Sequence, residues 1–173
     1  MNIEQLRYPI GKYKAPTTIT ATHIETWINE IKALPDRLAA TISQLTAAQL
    51  NTPYRPAGWT IRQVVHHLPD SHMNAYIRFN LALTEENPTI RPYYEDRWAA
   101  LETSKTADIQ PSLDLLRALH QKWTLLLRSC SEQALGKTFF HPASNESTSL
   151  AFNIGNYAWH GNHHLAQIVN TFR

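Results

Sequence analysis

The sequence predicts an all-α protein, a four-helix bundle with short connecting helices, and three observations carry that expectation. Four long segments repeat their apolar residues with helical period, only 5 of the 173 residues are glycine, and no stretch alternates clearly as a half-buried strand does. The length fits one domain, residues 1–173, with a sizeable core.

Each element follows from local signals. Leu6 to Gly11 reads as an irregular arm. The first long helix is expected from about Thr22, because Thr22 and Glu25 have capping-box spacing, and Ile24, Trp27, Ile28 and Ile31 share a face. Pro35 is expected to kink or split it, with the segment continuing through Leu38, Ile42 and Leu45. The second long helix has the clearest start: Thr60 and Gln63 form a capping box, and Trp59 and Val64 have hydrophobic-staple spacing. It should run to about Thr84, kinked at Pro69. A short helix is expected near Tyr94 to Leu101. The third long helix follows Pro111, with Leu113, Leu116, Leu119, Trp123, Leu126 and Leu127 at core spacing. The fourth runs from about Ser149 to Asn170.

The two halves echo each other. Leu45 to Leu50 precedes an aromatic, Pro56 and a helix holding His66-His67-Leu68; Cys130 to Leu135 precedes aromatics, Pro142 and a helix holding His163-His164-Leu165. If the echo is a true repeat, His67 and His164 occupy equivalent positions about a shared axis.

Composition excludes several classes. Hydrophobic residues make up 43% and charged residues 17%, an ordinary globular balance. A formal charge of +2, with no basic stripe, gives no electrostatic footprint for nucleic acid. Cys130 is the single cysteine, so there is no internal disulfide and no thiolate zinc cage. No stretch approaches the roughly 18 apolar residues needed to span a bilayer. Met1 to Tyr13 lacks the apolar core of a signal peptide, so a cytoplasmic location is expected.

Histidine is the unusual residue, with nine in the chain. Helical phase, at about 100° per residue, separates neighbours. On the second helix Ile61, Val64, Leu68, Ala75, Phe79 and Ala82 define the apolar stripe; His67 lies at its edge in line with Ser71, Asn74 and Arg78, and His66 points toward solvent. His72 falls on the stripe, but Pro69 leaves its phase open. On the fourth helix Ile154, Tyr157, Ala158, Gly161, Leu165, Ile168 and Phe172 face inward, His160 and His164 line one edge, and His163 points away. An i, i+4 histidine pair makes a bidentate clamp, and a third histidine from a neighbouring helix completes a facial set with open positions, as catalytic sites have. Three imidazoles suit zinc, nickel, cobalt or iron(II) better than magnesium or calcium. The expected cofactor is one divalent transition metal per chain, zinc or nickel. Isolated histidines on amphipathic faces are usually hydrogen-bonded core or surface residues, and His23, His120 and His141 are read so. The segment His160 to His164 contains no H-E-x-x-H, so a zincin protease is not supported.

These residues resemble a known family. Gly58 to Leu68, continuing Asp70 to Asn74, is similar to the DinB-like superfamily, and within it to the YfiT branch of metal-dependent hydrolases related to bacillithiol S-transferases. Trp159 to His164 matches that branch's second signature, and Tyr8 to Tyr13 and Leu50 to Arg55 extend the likeness over nearly the whole chain. The resemblance implies a four-helix bundle, often a homodimer, with a metal on three histidines, carried over as His67, His160 and His164.

Two chemistries fit such a site. A metal-bound thiol loses its proton and attacks an electrophile as thiolate; alternatively, a metal-activated water hydrolyses a substrate. Hydrolysis usually wants a carboxylate base, and none shares the ligands' phase; Asp70, about 60° off the His67 line, is the nearest. This favours the thiol route, or a hydrolase with an unusual base. A third reading, from another class, is a non-enzymatic metal or small-ligand binding protein. Arg78, in phase with His67, is the candidate for binding an anionic group, with an interhelix salt bridge as its alternative. Asn74 and Tyr157 are further candidates for the substrate pocket, and Ser71, Asn153 and Asp70 for groups supporting the ligating imidazoles. The five tryptophans read as packing anchors. The expected partners are small molecules, a thiol and an electrophile or a hydrolysable substrate, with neither nucleic acid nor membrane.

Overall fold

Capping chemistry sets where the helices begin. The computed structural model describes residues 2–172; Met1 and Arg173, the ends of the expected domain, lie outside the described residues. The N-terminal arm is more regular than expected, opening with α1 (Ile3–Arg7), capped by Asn2. In α2 (Ala21–Ile42) the cap is Thr20, not Thr22: its hydroxyl accepts from the His23 backbone while the His23 ring faces the Thr20 N–H. Glu25, the expected capping partner, instead pairs with Arg128 and Asn29. The helix continues through Pro35 and ends at Ile42, so Leu45 lies beyond it.

α3 (Ala47–Leu50) is a single capped turn. α4 (Ile61–Thr84) starts on the expected Thr60–Gln63 capping box and also continues through its buried proline, Pro69. α5 (Glu95–Ala99) and α6 (Glu102–Thr106) lead to α7 (Gln110–Ser129), which carries Pro111 in its first turn, where the missing N–H costs nothing. α8 (Glu132–Leu135) precedes a hairpin of β1 (Thr138–His141) and β2 (Glu146–Ser149), paired antiparallel with Phe139 opposite Thr148. The all-α expectation missed this hairpin because four-residue strands with a polar second member show almost no alternation. Phe139 drops into the core, and Phe140 exchanges backbone hydrogen bonds with Pro88 and Ile90. α9 (Leu150–Asn170), capped by Ser149, has the predicted bounds. Phe172, expected inward, is 41% exposed because the helix has already ended.

The four long helices form the bundle. α2 packs against α7 and α9, and α4 packs against the same two, so α2 and α4 lie on one diagonal and α7 and α9 on the other. Each diagonal crossing passes through a short capped helix, α3 or α8, which is the structural counterpart of the sequence echo. α2 and α9 approach closely at Gly161, whose missing side chain leaves room for Leu34. One core cluster gathers Ile31, Phe79, Trp123 and Ile154; a second gathers Leu34, Leu38, Ile61, Leu68, Leu116 and Leu165. No helix among the described residues is long and apolar enough to cross a membrane.

Candidate metal centre

α4 and α9 are neighbours, and their facing edges bring three histidines together. His67 comes from α4, and His160 and His164, one turn apart, from α9. One nitrogen from each lies within 4.8 Å of the others. Nε2 of His67 and Nε2 of His160 are 3.3 Å apart. Two imidazoles on a single zinc ion, with bonds of about 2.0–2.1 Å at tetrahedral angles, place their nitrogens about 3.3 Å apart. The donor set therefore fits a divalent transition metal.

Burial keeps these three histidines in the form a metal needs. It holds His67, His160 and His164 well below the usual imidazole range, helped by mutual repulsion: His164 acts on His67, His67 and His163 on His160, and His160 and His163 on His164. Neutral imidazoles offer lone pairs without first expelling a proton.

The outward nitrogens are held too. Nδ1 of His164 faces Oε1 of Gln167 at 2.9 Å, while the Gln167 amide nitrogen donates to the Arg7 carbonyl. Nδ1 of His160 faces Nε2 of His72 at 3.1 Å. His72 is thus in contact with a candidate ligand, a placement its open phase after Pro69 had hidden.

The histidines open onto a cavity of about 560 Å³. Trp59, from the segment before α4, lies over His67 with ring centres 4.8 Å apart, and Trp159 stacks on His163. Ser71 and Arg78 line the wall from α4, and His141 reaches it from the hairpin. Tyr93 and Glu95 enter from the start of α5, and Tyr8 from the N-terminal arm, which Trp159 ties down by donating to the Gly11 carbonyl. A second cavity, of about 420 Å³, adjoins it and shares Tyr8, Trp59, Glu95, His163 and His164; Arg7, Arg55 and Asp96 add charge there.

Several expected roles are redistributed. Arg78 does line the cavity; among the described residues it forms no ion pair, and its buried Nε lacks a hydrogen-bond partner. Tyr157 lies beneath the site, with ring centres 5.7 Å from His160 and 5.2 Å from His72. Burial pushes its phenol up, with Arg78 and Ser71 pulling the other way. Asn74 and Asn153 are elsewhere, because each turns its amide back onto its own helix, to the carbonyls of Asp70 and Ser149. Asp70 belongs to a different depression, with His66, Trp98 and Ser112, where burial raises its carboxyl to about 6.

His66 points away from the three histidines but is buried, whereas His163, expected to point away, lines both cavities beside His164. His66 meets Ser112 and the Ala107 carbonyl, and His163 lies under Tyr8 against Gln167. Trp59 and Trp159 form cavity walls, whereas Trp123 is the core anchor expected. Glu95 is the carboxylate that helical phase could not find, since it arrives from another element. His120 is the hydrogen-bonded core residue expected.

Comparison with known proteins agrees with this geometry. The family model of the DinB superfamily matches residues 30–168. A protein of Bacillus cereus (strain ATCC 10987 / NRS 248), named "Putative metal-dependent hydrolase", is 54% identical over 97% of this chain and 96% of its own length. One of Bacillus mycoides (strain KBAB4) with a name of the same kind shows the same identity and coverage. The solved structure of YfiT from Bacillus subtilis superposes with a TM-score of 0.94 at 48% identity, covering 96% of this chain and 95% of that one. It is described as "a probable metal-dependent hydrolase with an unusual four-helix bundle topology". A mycothiol-dependent maleylpyruvate isomerase shares the fold at a TM-score of 0.61 and 16% identity, over 81% of this chain and 60% of that one.

Proposed function

The chain belongs to the DinB superfamily, and we propose that it is a metal-dependent enzyme that transfers a low-molecular-weight thiol to an electrophilic substrate. The observation that carries this reading is the pair of adjoining cavities meeting at His163, His164 and Trp59, which gives two reactants room on either side of one centre. His67, His160 and His164 would hold the ion, and three neutral imidazoles suit zinc or nickel. When bound, that ion supplies Lewis-acid activation, making a thiol acidic enough to react as thiolate at neutral pH.

The surrounding side chains have separate tasks. Arg78, with no acidic partner among the described residues, receives an anionic group of the thiol or the electrophile. Trp59, Trp159 and Tyr93 enclose the reactants and exclude water. Glu95 stands at the junction of both cavities, able to take up the proton that the nucleophile sheds.

The presence of Glu95 also supports a second reading, hydrolysis, in which the same carboxylate takes its proton from water. One assay separates the two. Metal-loaded protein is offered bacillithiol, glutathione or cysteine with a chromogenic electrophile, beside ester and amide substrates. Thiol-dependent conjugation supports transfer, and thiol-independent cleavage supports hydrolysis. Silence in both assays points to a protein that binds a ligand without turning it over.

A further inference from the structure

Pro35 has no N–H, so the carbonyl of Ile31, one turn earlier on α2, lacks its helical donor. That carbonyl faces Nδ1 of His120 on α7. A carbonyl oxygen only accepts, so Nδ1 of His120 carries the proton and its Nε2 carries a lone pair. This Nε2 lies 2.9 Å from Nδ1 of His72 on α4. A single proton fits between them, and it belongs to His72. Nε2 of His72 is then an acceptor, and the atom facing it at 3.1 Å is Nδ1 of His160 on α9. By the same logic His160 donates from Nδ1, leaving its lone pair on Nε2, the atom 3.3 Å from Nε2 of His67.

We propose that Ile31, His120 and His72 are positioning residues, a one-directional hydrogen-bond chain that fixes the Nε2 lone pair of His160 toward His67 and His164. The chain touches all four long helices in turn. Ile31 and His120 are each 1% exposed and His72 is 0% exposed, so water offers no competing partner that would let a ring change tautomer. Neighbouring hydrogen bonds in such a chain polarise one another and make the last nitrogen a better donor to a metal. Because the chain ends on a carbonyl, which has no proton to pass, it orients the ligand and conducts nothing. Gln167 does the same for His164, its oxygen accepting from Nδ1 because its nitrogen is committed to the Arg7 carbonyl. Both ligands on α9 thereby present Nε2.

The tautomer assignment stands without a metal; its effect on metal affinity rests on the three-histidine reading. Long-range 15N–1H correlation spectra of the metal-free protein should show His120, His72 and His160 all protonated at Nδ1. An Nε2–H signal from His160 overturns the proposal, and this measurement needs no variant that might fail to fold. In zinc competition titrations against a chromogenic chelator, His72→Phe should bind about 10–100-fold more weakly, with mixed tautomers at His160. His120→Gln, whose amide both accepts from His72 and donates to Ile31, should keep both the His160 tautomer and the affinity of the unsubstituted protein. Unchanged zinc affinity in a folded His72→Phe also overturns it. If the unsubstituted protein takes up no zinc, the metal reading fails, and the spectra still decide the chain.

Discussion

Nε2 of His67 and Nε2 of His160 stand 3.3 Å apart, reaching toward each other from two neighbouring helices. Without an ion, at most one proton joins them; with an ion, both lone pairs bind and α4 is tied to α9. Zinc at about 100 times its dissociation constant should add about 2.7 kcal/mol of stability. For a chain of this length that raises the melting temperature by roughly 5–10 °C. Thermal unfolding with and without zinc checks this, and His160→Ala should abolish the rise.

Metal-free protein should be acid-labile. Burial lowers His120 to about 4, against about 6.5 in the unfolded chain. The unfolded state therefore binds more protons as pH falls. The stability is fully present above pH 6.5 and is lost as pH drops through about 4, a difference on the order of 3 kcal/mol from this residue. His72 and His160 shift in the same direction. Denaturant titrations in chelator at pH 7.5, 6 and 5 should show falling stability, and a flat profile contradicts the buried-neutral state.

Asp70 should act in the opposite sense. Burial raises its carboxyl from 3.8 to about 6, so the folded state holds the proton more tightly. That advantage is full below pH 3.8 and gone as pH rises through 6. Asp70→Asn should therefore stabilise the protein at pH 8 by on the order of 1 kcal/mol, discounted for solvent screening. The gain should vanish below about pH 4. Paired denaturation curves at the two pH values measure it.

Gly161→Ala should destabilise the fold although alanine favours helix. The helical gain is at most about 1 kcal/mol, while the new methyl group runs into Leu34, itself 2% exposed. Overpacking costs about 1–3 kcal/mol, so a net loss of about 1–2 kcal/mol is expected. Chemical denaturation reads it directly. A more stable variant would mean that Leu34 has room to move.

What the sequence made legible were features that repeat along one helix. The Thr60–Gln63 box, the bounds of α9, the His160–His164 pair and the alignment of Arg78 with His67 all lie within one element and obey its period. Features assembled from separate segments were hidden. Phase turned His66 away from the three histidines, as found, but could not foresee its cover by Ala107 and Ser112, and it missed that His163 lines both cavities under the N-terminal arm. Glu95 reaches the cavity from α5, so no spacing from a histidine reports it. His72 was masked by Pro69, which the helix absorbs without ending. The Thr20 cap escaped because its partner is His23, where the usual pattern has Glu or Gln.

His67, His160 and His164 together should bind one ion. Zinc content per chain after reconstitution and removal of excess metal tests it most directly, measured for the unsubstituted protein and for His164→Ala. About one ion per chain is expected in the first, from the one set of three imidazoles among the described residues, and a loss of stable binding in the second. Full zinc content in a folded His164→Ala protein would contradict it.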